Sequence, residues 1–274
     1  MSAAGDVRRG RSNLGRITIG ALGLVVLVAA AFIAGRASSN RDSAHASAPD
    51  PTSRGAAPTT TTEVPTQNLD EATENKPDQP LGNMTRDALA ADLVAARTVA
   101  AQYPTVASAV AAHMIQAGKF APGAGAHYID YANVSTEIRP DGSVDPRRPG
   151  AYIYDGISPT SRLVGLMYLS LSDGAAPAGF PGPNDHWHRH SNLCIQYLPG
   201  GQIGVPFAPD RDVTRAQCDT VPHGQFMKKT VWMVHAWVVP GWESPKGVFS
   251  HSNPDLKCAD GTINTDTIGF CKGT

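Results

Sequence analysis

Hydrophobic residues are concentrated in two parts of the chain, separated by a long polar stretch. The first part is the uncharged run 17–35, which follows four arginines and ends before Arg36. Nineteen helical residues at about 1.5 Å each span about 28 Å, close to the hydrocarbon core of a bilayer. We therefore predict a transmembrane anchor over residues 17–35, with residues 1–16 in the cytoplasm because arginines are retained on that side.

A cleaved signal peptide is the alternative interpretation of the same run. Signal peptides have apolar regions of about 7–15 residues, followed closely by a small-residue cleavage motif. The run is longer than that, and the small-residue motifs at 44–46 and 46–48 lie well beyond Arg36. Either interpretation places the chain after residue 36 outside the cytoplasmic membrane. The anchor makes the lipid bilayer the expected partner of residues 17–35.

Residues 37–83 have the composition of a linker. Residues 37–80 contain no aromatic residue, and their only large aliphatic side chains are those of Val64 and Leu69. Prolines are frequent, and residues 59–62 are four consecutive threonines. Such a stretch buries too little apolar surface to offset the loss of chain entropy, so we predict a disordered Pro/Thr-rich spacer.

The second hydrophobic part begins at Met84 and changes its period partway along. Apolar residues first recur every three or four positions, which predicts two helices on either side of Tyr103-Pro104, the second ending at Gly118. Short strand-like runs between Gly, Pro and Asp turns follow. The candidate strands are residues 151–154, 163–171, 187–197 and 230–239. We predict that residues 84–274 form an extracytoplasmic α+β domain: two N-terminal helices and a mainly antiparallel β structure, preceded by one transmembrane helix.

Charge and motifs exclude several function classes. The chain has 23 basic and 24 acidic residues, a formal net charge of −1, so we predict no nucleic-acid partner. The sequence contains no Gly-x-Ser-x-Gly, no His-Glu-x-x-His and no phosphate-binding glycine loop. It therefore indicates no catalytic residues and leaves open whether the protein is an enzyme.

Three alternating histidines provide the clearest chemical signal. His186, His188 and His190 share one face if residues 185–190 form a strand, with neighbours about 6.6–7 Å apart. Two imidazoles at this spacing can converge on one ion with bonds of about 2.0–2.1 Å, whereas a third would need a bend or bulge. The alternative is that one or more of these histidines is solvated or merely hydrogen-bonded.

Two distant histidines complete the predicted site. His235 lies in the apolar run 231–237, where a buried imidazole must be hydrogen-bonded or ligated, and His127 follows a glycine-rich turn. We predict that two of the alternating histidines and His235 bind one transition-metal ion, with His127 as a possible fourth ligand. Zinc and copper are the leading cofactors because neutral imidazole suits both. His223 and His251 lie in polar, turn-rich segments and are not included.

Four cysteines fit an oxidising compartment. Cys258 and Cys271 bracket a turn-rich loop and are the most plausible disulfide, which leaves Cys194 with Cys218. The other two pairings remain open, as does a role for Cys194 as a thiolate ligand.

Short motifs in the domain also belong to a pattern known from other proteins. Residues 123–128 read Gly-x-Gly-x-His-Tyr, residues 162–168 begin Arg-Leu-Val-Gly, and residues 235–237 read His-x-Trp. With the helical segment 96–103, they resemble an uncharacterised family of secreted or membrane-anchored bacterial proteins.

The resemblance implies no established activity, but it suggests that His127 and His235 belong to one site. A glutamate of the family's central strand is Met167 here, which removes a carboxylate from that site. The histidines at 186–190 are not part of the family pattern.

The favoured function is thus a membrane-anchored domain of the bacterial cell envelope that binds zinc or copper through histidines. One alternative is a His-ligated metalloenzyme of the envelope. The other is a metal-free binding module whose ligand surface is formed by the tryptophans Trp187, Trp232, Trp237 and Trp242.

Overall fold

The computed structural model describes residues 69–71, 77–134, 137–207, 211–261 and 270–271, with only the backbone described for 69–71. The predicted anchor at 17–35 and the first part of the predicted linker lie outside the described residues. Within them, no helix is both long enough and apolar enough to cross a membrane.

The described residues contain three helices and nine strands. The helices are α1 (Asn83–Ala100), α2 (Val106–Ala111) and α3 (Arg215–Asp219). The strands are β1 (Leu69–Glu71), β2 (Ile115–Ala121), β3 (Gly125–Ile129), β4 (Ala151–Tyr154), β5 (Leu163–Ser170), β6 (His188–Tyr197), β7 (Ile203–Gly204), β8 (Gly224–Lys229) and β9 (Trp232–Ala236).

The strands form one sheet that closes on itself. Seven strands follow one another in the order β6-β7-β2-β3-β4-β5-β9, and β9 pairs back onto β6 where Met233 lies opposite His188. Strands β1 and β8 also pair with β6. All of these pairings are antiparallel except the one between β2 and β7.

The predicted α+β class is wrong, because the described structure is mostly β. Only α1, with 18 residues, is longer than six residues. The predicted second helix does begin at Val106, where Thr105 forms a capping box with Ser108, but it ends at Ala111. His113 then adopts a φ of +64°, and Ala117, which falls within the predicted helix, pairs with His127 in the sheet. Strand pairing overrides the helical spacing there.

Part of the predicted linker is attached to the domain. Strand β1 lies beside β6, with Leu69 opposite His190 and Glu71 opposite His188. Farther along, the backbone N–H of Gln79 donates to the Asn184 side chain (2.8 Å), whose amide donates back to the Gln79 carbonyl (2.9 Å). The polar composition did not reveal this pairing because edge pairing uses backbone groups rather than apolar side chains.

Strand β5 separates two hydrophobic clusters, and all of its residues are buried. Leu166 and Tyr168 pack with Ala96 of α1 on one face of the sheet. Met167 and Leu169 belong to the second cluster. Successive side chains of a strand point to opposite faces, so one face of β5 is covered by the helices. The other faces the histidines described below.

Two disulfides cross-link the domain and match the pairing favoured by the sequence. Cys194 of β6 is bonded to Cys218 of α3, and Cys258 is bonded to Cys271. Pairing removes Cys194 as a candidate thiolate ligand. Disulfides persist in oxidising compartments, so both bonds are consistent with a location outside the cytoplasm.

Candidate metal centre

The first strand of the site, β6, places two of the predicted histidines side by side. His188 is fully buried, His190 is 7% exposed, and their ring centroids are 5.7 Å apart. Arg189, between them, points to the opposite face and lies 4.3 Å above the Trp232 ring. This is the alternation that the sequence predicts for a strand.

His186 does not join them, because β6 begins only at His188. The preceding residues turn: the backbone N–H of Trp187 donates to the Asp185 carbonyl (2.9 Å), and the Trp187 indole donates to the Asp185 carboxylate (2.8 Å). His186 instead places its Nε2 atom 2.8 Å from the carboxylate of Asp78. His186 precedes the first residue of β6, so strand alternation does not place it on the same face as His188 and His190.

His251, which the sequence analysis left out, takes the place of His186. Its ring centroid lies 4.4 Å from that of His188 and 5.6 Å from that of His190. The donor nitrogens of these three residues all lie within 4.8 Å of one another. We call His188, His190 and His251 the three-histidine cluster.

Ring N–H groups of β9 and of the residue that follows it donate hydrogen bonds to the loop that carries His251. The Trp237 indole donates to the Ser250 carbonyl (2.7 Å), and His235 Nδ1 donates to the carbonyl of His251 itself (2.6 Å). The backbone N–H of Trp237 also donates to the Val248 carbonyl (2.8 Å). The His-x-Trp motif thus indicates that two ring N–H groups need hydrogen-bond acceptors nearby, but it does not identify which residues provide those acceptors.

His235 and His127 extend the cluster along one side. The His235 ring centroid is 5.2 Å from that of His188 and 5.8 Å from that of His251. The His127 ring lies next in line, 5.7 Å from His235. The structure therefore brings four of the five predicted histidines together. His235, however, lies beside the three-histidine cluster, because its donor atoms are not among those that lie within 4.8 Å of one another.

The geometry of the three-histidine cluster is close to what one ion requires. Bonds of about 2.1 Å at tetrahedral angles separate two ligand nitrogens by about 3.4 Å. Donor atoms within 4.8 Å of one another can reach that separation if each ring moves by about an ångström. The cluster can therefore hold a metal ion.

Hydrogen bonds prepare two of the imidazoles for this role. His188 Nδ1 lies 3.2 Å from the His186 carbonyl and donates to it, so the lone pair is on Nε2. That Nε2 atom is buried and has no hydrogen-bond partner among the described residues. His235 Nδ1 donates in the same way, which leaves its lone pair on Nε2. Such outer hydrogen bonds are typical of metal-ligating histidines.

Burial keeps these rings neutral. Desolvation lowers the pKa of His188 and of His235 well below its usual value, and neighbouring imidazoles, which would repel a second positive charge, lower it further. Burial and His251 lower the pKa of His127 to about 4. Neutral imidazole is the form that ligates a metal, so the rings are ready to bind near pH 7.

A cavity of about 150 Å³ lies against the histidines. Its wall includes the rings of His127, His190, His235 and His251, and the exposed Lys119 also lines it. The remaining lining residues are small or apolar: Ala117, Gly118, Ala121, Ala124, Gly125, Ile129, Met167, Val205, Met233 and Phe270. Gly125 is required there, because a Cβ at its φ of +77° would lie 2.5 Å from the Ile153 side chain.

The tryptophans do not form a ligand surface. Trp187, Trp232 and Trp237 are at most 4% exposed and belong to the hydrophobic clusters. Trp242 is half-buried beneath the guanidinium of Arg162, which lies 5.5 Å from its ring. The burial of these rings weighs against the binding-module alternative in the form predicted from the sequence.

Comparison of the chain with protein families, with curated proteins and with solved structures finds no match. Three neighbouring histidines that could hold a metal and two disulfides typical of proteins outside the cytoplasm are therefore the features from which a function is inferred.

Proposed function

We propose that the protein is an extracytoplasmic metal-binding protein whose ligands are His188, His190 and His251. The observation that carries this proposal is the buried Nε2 atom of His188, which has no hydrogen-bond partner among the described residues. A buried polar atom without a partner costs about 1–3 kcal/mol, and a metal ion shared with two adjacent imidazoles would remove that cost.

Zinc and copper are the proposed ions. Both bind neutral imidazole well, and the cluster contains no carboxylate that would favour magnesium or calcium. We further propose that residues 17–35 anchor the domain in the cytoplasmic membrane, with the linker between them. A reporter enzyme fused after Thr274 would then be active only outside the cytoplasm, and activity in the cytoplasm would refute the anchor.

Elemental analysis of the untagged full chain tests the metal site. The wild-type protein is expected to contain about one zinc or copper ion per chain, and His188→Ala is expected to contain none. His186→Ala is the matched control, because this neighbouring histidine is paired with Asp78 and lies outside the cluster. Circular dichroism establishes that each variant is folded. Full metal content in folded His188→Ala would refute the site.

A metalloenzyme is the second candidate function, and the cavity favours it. Catalytic zinc sites have three protein ligands and an open fourth position, whereas structural sites are closed by four. Three imidazoles beside a cavity of about 150 Å³ match the open arrangement.

A further inference from the structure

We propose that an ion held by the three-histidine cluster keeps one coordination position open to the cavity, and that this position binds a small anion. The inference rests on the proposed metal site and adds the class of its exogenous ligand.

The open position faces the cavity because of how the three ligands are placed. His190 and His251 line the cavity, whereas His188 approaches from the buried side. His235 also lines it, but its Nδ1 is fixed on the His251 carbonyl, and its donor atoms are not among those within 4.8 Å of one another. Among the residues that the structure describes, no further side chain completes the set, and the fourth ligand enters from the cavity.

Charge selects an anion over a neutral molecule. A divalent ion with three neutral imidazoles carries a net charge of +2, which is costly in a buried site unless it is compensated. No carboxylate is among the described residues that line the cavity, and Lys119 adds a further positive charge. An anionic fourth ligand would supply the negative charge that the described lining residues lack.

The cavity limits the size of that anion. A cavity of about 150 Å³ in another protein accommodates benzene, so about six non-hydrogen atoms fit. The wall is formed largely by alanines, methionines and other apolar side chains, which provide few partners for a polyanion. The ligand class is therefore a small monovalent anion of the size of azide or formate.

Azide titration of the full chain loaded with copper(II) tests the proposal, with the azide-to-copper(II) absorption band as the readout. We expect saturable binding of one azide per copper. A bulky naphthalenesulfonate should not compete with it, because it exceeds the cavity. Ala117→Leu fills the cavity from β2 and should weaken azide binding at least tenfold while the copper content stays unchanged. Ala90→Leu, on the exposed face of α1, is the matched control and should behave as the wild type.

The outcomes separate this inference from the proposed function. Copper bound by the cluster without any azide band would overturn the open position, and it would indicate His235 as a fourth ligand. Competition by the naphthalenesulfonate, or azide binding unaffected in folded Ala117→Leu, would overturn the assignment to the cavity. Absence of copper binding that depends on His188 would instead overturn the proposed function itself.

Discussion

Glu137 is a buried acid, and Glu137→Gln should gain stability relative to the wild type as the pH rises. The side chain is fully buried, and neither carboxylate oxygen accepts a hydrogen bond at standard geometry among the described residues. Desolvation raises the pKa of Glu137 to about 9; the nearby backbone N–H groups of Leu169 and Gly150 lower it, and the charge of Asp130 adds to the rise. The carboxyl group is therefore protonated in the native state at neutral pH.

Between the ordinary pKa of 4.5 and about 9, the native state holds a proton that the unfolded chain has released. The free energy of unfolding therefore falls as the pH rises, by about 1.4 kcal/mol per pH unit. From pH 5 to pH 8 the loss amounts to about 4 kcal/mol.

Glu137→Gln removes this titration while keeping the size of the side chain. Any difference in hydrogen bonding between the amide and the acid shifts the free energy of unfolding by the same amount at every pH, because the amide does not titrate. The measured quantity is therefore the difference in free energy of unfolding between variant and wild type, followed as a function of pH. We expect Glu137→Gln to gain about 4 kcal/mol relative to the wild type between pH 5 and pH 8.

Urea denaturation of the metal-free, disulfide-intact proteins at several pH values provides the measurement. Glu137 differs between the two proteins and the other titrating groups do not, so their contributions cancel in the difference. A difference that stays constant from pH 5 to pH 8 would refute the reasoning, because it would mean that Glu137 ionises at its ordinary pKa in the folded state.

The remaining predictions concern the site and its support. Trp237→Phe removes the indole hydrogen bond to Ser250, so metal affinity, measured by competition with a chelator, should fall about tenfold while the fold is retained. Replacing Cys194 and Cys218 by serine should lower the free energy of unfolding in urea by about 3 kcal/mol, and an unchanged midpoint would contradict the role of that disulfide. Because folding lowers the pKa of His188, unfolding takes up a proton below about pH 6.5, so in urea the metal-free wild type should lose stability relative to His188→Gln as the pH falls through that value.

The sequence predicts the structure correctly at positions where a sequence pattern coincides with the local structure. His188 and His190 share a face because both lie in a continuous strand, and the short loop between Cys258 and Cys271 is closed by their disulfide. The prediction was wrong two residues before His188, at His186. There the Asp185 carboxylate accepts the Trp187 indole N–H and turns the backbone, an event that alternation alone does not reveal.

His251 could not be predicted for a different reason. It lies outside the strands and is positioned by hydrogen bonds from His235 of β9 and from Trp237, which follows β9, to carbonyl groups of its own loop. Any carbonyl of a polar segment is an equally good acceptor, so the sequence shows that the His-x-Trp rings need partners without showing which partners. The predicted fold class was also wrong because of contacts between segments: β2 pairs with β3, so a segment with helical spacing forms a strand.

Closure of the sheet and assembly of the site depend on the same pairing. Strands β6 and β9 meet where His188 lies opposite Met233, and the same two strands contribute His190 and His235. The loop bearing His251 is in turn tied to the β2–β3 turn, since the Asn253 N–H donates to the Gly123 carbonyl (2.8 Å). An ion bound by the cluster would thus link segments far apart in the chain. Because the unfolded chain lacks this arrangement, metal at 100 times its Kd would raise the free energy of unfolding by about 2.7 kcal/mol. The site would therefore stabilise the closed sheet as well as hold the ion.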